Sequence, residues 1–264
     1  MSRMQAQQAN RSPAAAALPV AVELTGLYKK YPGQRRPAVD QLSLTIPRGL
    51  LFGLLGPNGA GKSTTLALLC GLIRPDGGAI SFPGREFGPG SLASKKNLGF
   101  VPQDLALYDQ LSGRENLIFF GRLYGLRGQR LQQRVAYALH LAGLEARAGQ
   151  RVATYSGGMK RRLNLAVGLL HEPQILCLDE PTVGIDAQSR QLIHEQLGAL
   201  ADRGVTVIYA THYLEEAERL CRQVVIIDEG RVLACGSPRE LLQEGGYASL
   251  GELFFALTGK ELRD

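Results

Sequence analysis

Eight residues in the first quarter of the chain, Gly56-Pro57-Asn58-Gly59-Ala60-Gly61-Lys62-Ser63, have the types and spacing G-x-x-x-x-G-K-[ST] of a loop that cradles phosphate. Gly56, Gly59 and Gly61 carry no Cβ, so backbone N–H groups can curl around an anion. Lys62 would reach the β- and γ-phosphates of a nucleotide, Ser63 would offer its hydroxyl to Mg²⁺, and Thr64 extends the candidate set into the following helix. About a hundred residues later the apolar run Ile175-Leu176-Cys177-Leu178 ends in Asp179-Glu180-Pro181. Asp179 would hold Mg²⁺ directly or through water, and Glu180 would orient and activate an attacking water. Between these segments lies Tyr155-Ser156-Gly157-Gly158-Met159, where Ser156 has the chemistry of an N-cap and two glycines leave N–H groups open to a second anion.

The elements that must hold these residues are legible around them. Leu50–Leu55 reads as a buried strand feeding a tight turn, and Leu66, Leu69, Leu72 and Ile73 recur at helical spacing after Lys62. The phosphate loop therefore sits between a strand and a helix, with the helix N-terminus adding positive potential. Ile175–Leu178 reads as a parallel strand, and its C-terminal end is where open α/β sheets bind ligands. Leu163, Ala166, Val167 and Leu170 give the segment after Ser156 one apolar helical face. Ser112–Ala142 shows helical periodicity, with Leu117, Phe120, Leu123 and Tyr124 expected on a core-facing stripe. Helices are expected over Gln188–Leu200 and Leu214–Leu220, a strand over Val205–Thr211, and a two-stranded return around Glu229-Gly230.

The three segments, in this order, resemble the ATP-binding subunit of an ATP-binding-cassette (ABC) transporter, and the resemblance runs from about Leu24 to the C-terminus. It implies an α/β phosphate-loop NTPase with a RecA-like core, an N-terminal antiparallel β-subdomain and an inserted helical subdomain at about 104–165, within one ATPase domain over 21–264. In that family the segment matching Ser156-Gly157-Gly158 is the signature motif, which closes on ATP held by a second subunit. Gln103 then corresponds to the glutamine-loop residue that contacts Mg²⁺ and water, and His212 to the switch histidine that hydrogen-bonds the γ-phosphate. Gly184-Ile185-Asp186 resembles the loop that crosses the dimer interface, although the commoner family form is Ser-Ala-Leu-Asp. Tyr31, 25 residues before Gly56, matches the aromatic that stacks on adenine, with Tyr28 as its rival. Tyr155 and Met159 replace the usual Leu and Gln of the signature. With Lys160-Arg161-Arg162 they are similar to cassettes of drug, polysaccharide and lipid exporters whose permeases are separate chains. The ending Leu257–Leu262 points the same way and is expected to lack the regulatory domain of many importer subunits.

The resemblance implies an ATPase using ATP and Mg²⁺, forming a homodimer or pairing with another cassette on ATP binding, and seated on integral-membrane permease subunits at the cytoplasmic face of the cell membrane, with no nucleic acid expected. The rival class is a non-transport ABC ATPase acting on ribosomes or DNA; an unrelated phosphate-loop kinase or GTPase would leave Ser156-Gly157-Gly158 unexplained. The chain has 264 residues, and no stretch approaches the ~18–20 apolar residues of a membrane span, so transport requires a partner. Cys70, Cys177, Cys221 and Cys235 lack C-x-x-C spacing, which reads as reduced cytosolic thiols. Residues 104–162 hold ten basic and four acidic side chains, an excess equal to the whole chain's +6. That excess reads as a face toward permease and anionic lipid, a nucleic-acid surface, or a solvated helical face. Residues 1–20, rich in Ala, Gln and Ser, superficially resemble a transit peptide and are expected to form a disordered extension.

Overall fold

The computed structural model describes residues 19–84, 91 and 96–259. The expected N-terminal extension, except its last two residues, and the last three residues of the Leu257–Leu262 ending lie outside the described residues. In chain order come strands β1 (Val20–Lys29), β2 (Val39–Pro47) and β3 (Leu51–Leu55), helix α1 (Lys62–Leu69), and strands β4 (Gly77–Ser81) and β5 (Leu98–Val101). Helices α2 (Gly113–Leu123), α3 (Gly128–Ala142) and α4 (Gly157–Gly168) follow. The remainder alternates: β6 (Ile175–Asp179), α5 (Ala187–Asp202), β7 (Thr206–Thr211), α6 (Leu214–Leu220), β8 (Gln223–Asp228), β9 (Arg231–Gly236), α7 (Pro238–Gly245) and α8 (Leu250–Thr258).

Two sheets result. The smaller is antiparallel, in the order β2-β1-β4. The larger runs β5-β6-β7-β3-β8-β9, parallel throughout except for the antiparallel β8–β9 return. Strands β3, β6 and β7 are buried along their whole length, as strands covered on both faces must be. Alternation along β3 divides the interior. Phe52 and Leu54 pack with Leu66 and Leu69 of α1 and with the small sheet, whereas Leu51 and Leu55 pack with Ile193 and Leu197 of α5. The same parity holds in β6, where Cys177 faces α1 and Leu176 and Leu178 face the other layer.

A third core belongs to the helices. Leu117 of α2, Val135 and Leu139 of α3, and Leu163, Ala166 and Leu170 of α4 enclose it. The periodicity expected across Ser112–Ala142 is two helices, because Gly125 at φ +83° turns the chain between them. Leu123 departs from the expected stripe: it is 68 % exposed, since it falls in the last turn of α2 beyond the reach of α3. Leu72, beyond the end of α1, is 59 % exposed for a similar reason. Tyr155, in the place of the more usual Leu, fills this helical core and donates its hydroxyl to the Arg147 carbonyl at 2.8 Å. A Cβ on Gly113 would lie 2.4 Å from that hydroxyl, so the tyrosine depends on a glycine across from it.

Part of the basic excess of this region is structural. Arg134 of α3 donates through Nε to Leu170 O (3.0 Å) and through Nη2 to Leu169 O (2.8 Å), carbonyls that α4 leaves orphaned at its C-terminal end. Glu172 holds the same guanidinium at 3.3 Å and Arg130 at 3.1 Å. Arg134 is mostly buried and Arg130 exposed. Arg134→Ala is therefore expected to lower unfolding free energy by about 1–3 kcal/mol, and Arg130→Ala by under about 1 kcal/mol. Urea denaturation of the two variants beside the parent checks the contrast.

Candidate functional site

Four neighbouring strands of the large sheet, β5, β6, β7 and β3, are parallel and so end on one edge. Each carries a candidate residue just past its last position: Gln103 after β5, Glu180 after Asp179 of β6, His212 after β7, and Gly56 after β3. Register aligns them laterally, with Leu55 opposite Thr211 and Asp179 opposite Ala210. A cavity of about 480 Å³ opens there, and Lys62, Ser63, Thr64, Gln103, Glu180 and Tyr31 line it. Pro57, Asn58, Gly59 and Gly61 of the loop line it too. Of the two aromatic candidates, Tyr31 lies on this wall with its hydroxyl 3.5 Å from Thr64 Oγ1. Tyr28 sits within β1 opposite Gly77, away from the cavity.

The glycines of the loop serve different ends. A Cβ on Gly56 would lie 2.2 Å from the Ile227 carbonyl of β8, and one on Gly61 2.3 Å from the Ala38 carbonyl. Both glycines admit a close approach of neighbouring backbone that braces the loop. The β8–β9 turn adds to the brace, with Gly230 N donating to Ala60 O at 3.0 Å. Gly59, at φ +84°, meets nothing within 4 Å, so its missing side chain leaves open space in the cavity.

Three ionisable groups are buried at the floor. The Lys62 ammonium, 5 % exposed, donates to Gly56 O (2.7 Å) and Pro57 O (3.1 Å). It also lies 3.2 Å from Glu180 Oε1, and His212 Nδ1 lies 2.7 Å from Glu180 Oε2. These are charge contacts whose angles fall outside hydrogen-bond geometry, so both Glu180 oxygens are buried without a hydrogen-bond partner among the described residues. The Glu180 backbone stands at φ +50° while its N–H donates to Ala210 O at 3.0 Å, a left-handed placement that costs about 1–2 kcal/mol for a residue with a side chain. Beneath it, burial pushes the Asp179 carboxyl above its usual range; the Ser63 hydroxyl hydrogen bond and Lys62 oppose that, and the Glu180 charge reinforces it. Asp179 Oδ1 has no hydrogen-bond partner among the described residues. His212 touches this group through Glu180 and is not itself on the cavity wall.

Ser156, Gly157 and Gly158 stand apart from that cavity. Ser156 caps α4, accepting from Met159 N at 3.3 Å. Gly158 is packed on the start of α5, where a Cβ would lie 2.1 Å from Ser189 Oγ and 2.9 Å from Asp186 Oδ2. Asp186 in turn caps α5, accepting from Ser189 N at 2.8 Å, and that bond holds its carboxyl below the usual range. The segment resembling the signature and the loop Gly184-Ile185-Asp186 thus form one surface, with Gly157 exposed on it.

Lys160, Arg161 and Arg162 all have partners within the chain. Lys160 Nζ lies 2.8 Å from Asp109 Oδ1, Arg161 donates to the Gln103 carbonyl, and Arg162 donates to Ala142 O at 2.7 Å. Asn164 accepts from Ala106 N at 3.3 Å and donates to Pro102 O at 3.4 Å. The loop after β5 is thereby strapped along the helix that begins at Ser156. Reading these charges only as a surface for lipid, nucleic acid or solvent misses this, because sequence spacing does not show a partner fifty residues away. Gln34, Arg35, Arg36 and Glu229 also line the cavity without having been expected there. Arg36 and Glu229 pair at 2.6 Å across the gap between the small sheet and the β8–β9 turn. The adjacent arginines after Pro32-Gly33 are the one signal that could have marked them.

Residues 39–183 match the family model described as ABC transporter. The linearmycin resistance ATP-binding protein LnrL of Bacillus subtilis (strain 168) is 45 % identical over 83 % of this chain and 70 % of its own length. This chain belongs to the ABC transporter family. The Nod factor export ATP-binding protein I of Rhizobium sp. (strain N33) is 44 % identical over 89 % of this chain and 77 % of its own. Among solved structures, an ATP-binding subunit of an ABC transporter superposes with TM-score 0.80 at 32 % identity, covering 90 % of this chain and 99 % of its own. A dimeric ATP-binding cassette in a post-hydrolysis state, bound to ADP and Pi, superposes with TM-score 0.73 at 26 % identity, covering 82 % and 98 %. The chain is therefore an ABC ATPase that binds ATP, and its α/β fold with an antiparallel β-subdomain and helical insertion is the family's. ABC ATP-binding subunits dimerise and work with membrane permease components. Among the described residues, no helix of this ABC subunit is long and apolar enough to cross a membrane.

The two kinds of loop glycine predict different failures. Gly61→Ala is expected to lose several kcal/mol of stability, because its Cβ would overlap backbone. Gly59→Ala is expected to cost about 1 kcal/mol of stability and to weaken ATP binding at least about tenfold, by intruding where phosphate would lie. Thermal melts with and without ATP separate the two.

Proposed function

We propose that the cavity holds MgATP and that its hydrolysis drives export through separate permease chains. The observation that carries this reading is the buried Glu180 carboxylate. It lies between Lys62 and His212, on the cavity wall, with both oxygens buried and lacking a hydrogen-bond partner among the described residues. Backbone N–H groups of Gly56–Ser63, with the N-terminus of α1, receive the β- and γ-phosphates. Lys62 moves its ammonium from the Gly56 and Pro57 carbonyls to those phosphates. Tyr31 stacks on adenine from the small sheet. Glu180 accepts a proton from the water that attacks the γ-phosphorus, the bond to the β-phosphate oxygen breaks, and ADP and phosphate are the products. His212 donates a hydrogen bond to the γ-phosphate and, at 2.7 Å from Glu180, keeps that carboxylate aimed.

The residues present suit Mg²⁺. The Ser63 hydroxyl, the Asp179 carboxylate with its unpartnered Oδ1 and the Gln103 side chain are oxygen donors, as a hard cation requires. No group of three or more His, Cys, Asp or Glu poised for a metal occurs among the described residues, which fits an ion that takes its remaining ligands from nucleotide and water. When bound, the ion would offset the negative charge on the transferring phosphoryl group.

Ser156, Gly157 and Gly158 complete the site of a second copy. Their separation from their own chain's cavity and the exposure of Ser156 and Gly157 beside Gly184–Asp186 support that role. ATP would then close two copies head to tail, and nucleotide state would shift the balance of open and closed dimers. Export is supported by the names of relatives aligned over most of this chain, one for linearmycin resistance and one for Nod factor export. In this reading cargo choice belongs to the permease, since the cassette residues described above serve ATP. The subunit would sit peripherally on the cytoplasmic face of the cell membrane.

Glu180→Gln is expected to keep ATP affinity and lower kcat by about 10²–10⁴-fold; steady-state hydrolysis near the parent rate would remove Glu180 from this role. The same variant, tagged and recovered from native membranes with Mg-ATP, is expected to bring down a polytopic membrane protein in stoichiometric amount. Ribosomes or nucleic acid in its place would overturn the transport reading and leave the ATP site standing.

A further inference from the structure

Behind the loops that carry Glu180 and His212 lies a further, mostly buried carboxylate, Glu216 of α6, with no place in the chemistry above. Its Oε2 accepts from Tyr209 Oη at 2.5 Å and from Thr182 Oγ1 at 2.9 Å, and His194 Nε2 lies 3.3 Å away. Its Oε1 faces Arg190 Nε at 3.3 Å. Burial alone would raise the Glu216 carboxyl, but the hydrogen bonds from His194, Tyr209 and Thr182 outweigh it and hold the group below its usual range. Tyr209, itself fully buried, is held protonated by burial and by the neighbouring Glu216 charge, so it serves as a permanent donor.

The sequence positions of these partners matter more than their number. Thr182 stands two residues after Glu180, in the loop leaving β6. Tyr209 stands three residues before His212, near the end of β7. Glu216 lies in the first turn of α6, the element that follows His212, and its partner Arg190 lies over the Tyr213 ring at 5.7 Å. Tyr213 packs in turn against the His212 ring at 4.2 Å. Thr182 and Tyr209 also touch each other at 3.0 Å, so one carboxylate oxygen joins both loops at their roots. The Glu180–His212 contact at 2.7 Å links the same two loops nearer the cavity.

We propose that Glu216 is a positioning residue: it fixes the loop carrying His212 against the loop carrying Glu180, and so sets the distance between the two groups that face the γ-phosphate. The proposal rests on the roles given above to His212 and Glu180. Glu216 is remote from the nucleotide cavity and touches neither phosphate loop nor adenine wall. Its loss should therefore act on turnover and spare binding. A misplacement of about 1 Å at reacting groups costs up to about 10²-fold in rate.

The test is a double-mutant comparison on the full chain: Glu216→Gln, His212→Ala and the pair, each with kcat, KM for ATP, ATP-binding stoichiometry and a thermal melt. Glu216→Gln is expected to lower kcat roughly 10- to 50-fold with KM within about twofold and full binding stoichiometry. In the His212→Ala background it should cost less than about threefold more, since no histidine remains to be placed. A kcat within about twofold of the parent would overturn the proposal. So would losses that multiply in the pair, or a fall in binding stoichiometry that accounts for the lost rate, which would make Glu216 a stability residue only. His212→Ala at the parent rate would overturn the reading beneath it, and that shows without any Glu216 variant. If Glu216→Gln does not fold, Tyr209→Phe and Thr182→Val each remove one donor to the same oxygen and carry the same comparison, with expected losses of about threefold.

Discussion

Everything at the site depends on four parallel strands that end together. Parallel pairing of β5, β6, β7 and β3 brings Gln103, Asp179, Glu180, His212 and Gly56 to one edge although they span more than 150 residues of sequence. An antiparallel strand in any of these places would send its loop to the opposite edge. Parallel strands need covered faces, and the cover comes from α1 with the small sheet on one side and α5, α6 and α8 on the other. The unbroken burial of β3, β6 and β7 is thus a condition of the chemistry as well as of stability.

That edge concentrates charge where water is scarce. Lys62, Asp179 and Glu180 are all at most 5 % exposed. Their mutual contacts hold them in place but leave Asp179 Oδ1 and both Glu180 oxygens short of partners, a state suited to receiving ligand, ion and water. The phosphate loop is shaped from behind. Ile227 and Ala38 press their carbonyls against Gly56 and Gly61, so the loop holds its curl through contacts from β8 and from the segment leading into the small sheet. Loop conformation is consequently tied to the β8–β9 turn and to the β-subdomain, the two walls that Glu229 and Arg36 join.

The helical unit meets this core through α4. Along α4, side chains of Lys160, Arg161 and Asn164 hold the segment from Pro102 to Asp109. The segment carrying Gln103 is therefore fastened to the helix whose first turn presents the second glycine motif. In this chain the basic residues after Met159, and the tyrosine before Ser156, are parts of that linkage and of the helical core.

Much of this was written in the sequence. The glycine spacing of residues 56–63, the apolar run into Asp179-Glu180 and the Ser156-Gly157-Gly158 cap are local patterns, because turns, caps and buried strands are decided by near neighbours. Even the strand β7 and the helix α6 were legible almost to the residue. Residue order alone thus carried these local patterns and the elements beneath them. Which tyrosine faces the cavity, why Gly158 cannot bear a side chain, the partners of Arg134 and Arg161, and the burial of Glu216 were decided only by tertiary structure. Each of those depends on an atom more than twenty residues away, and no periodicity or propensity carries the distance between two segments that meet only when the sheets and helices pack.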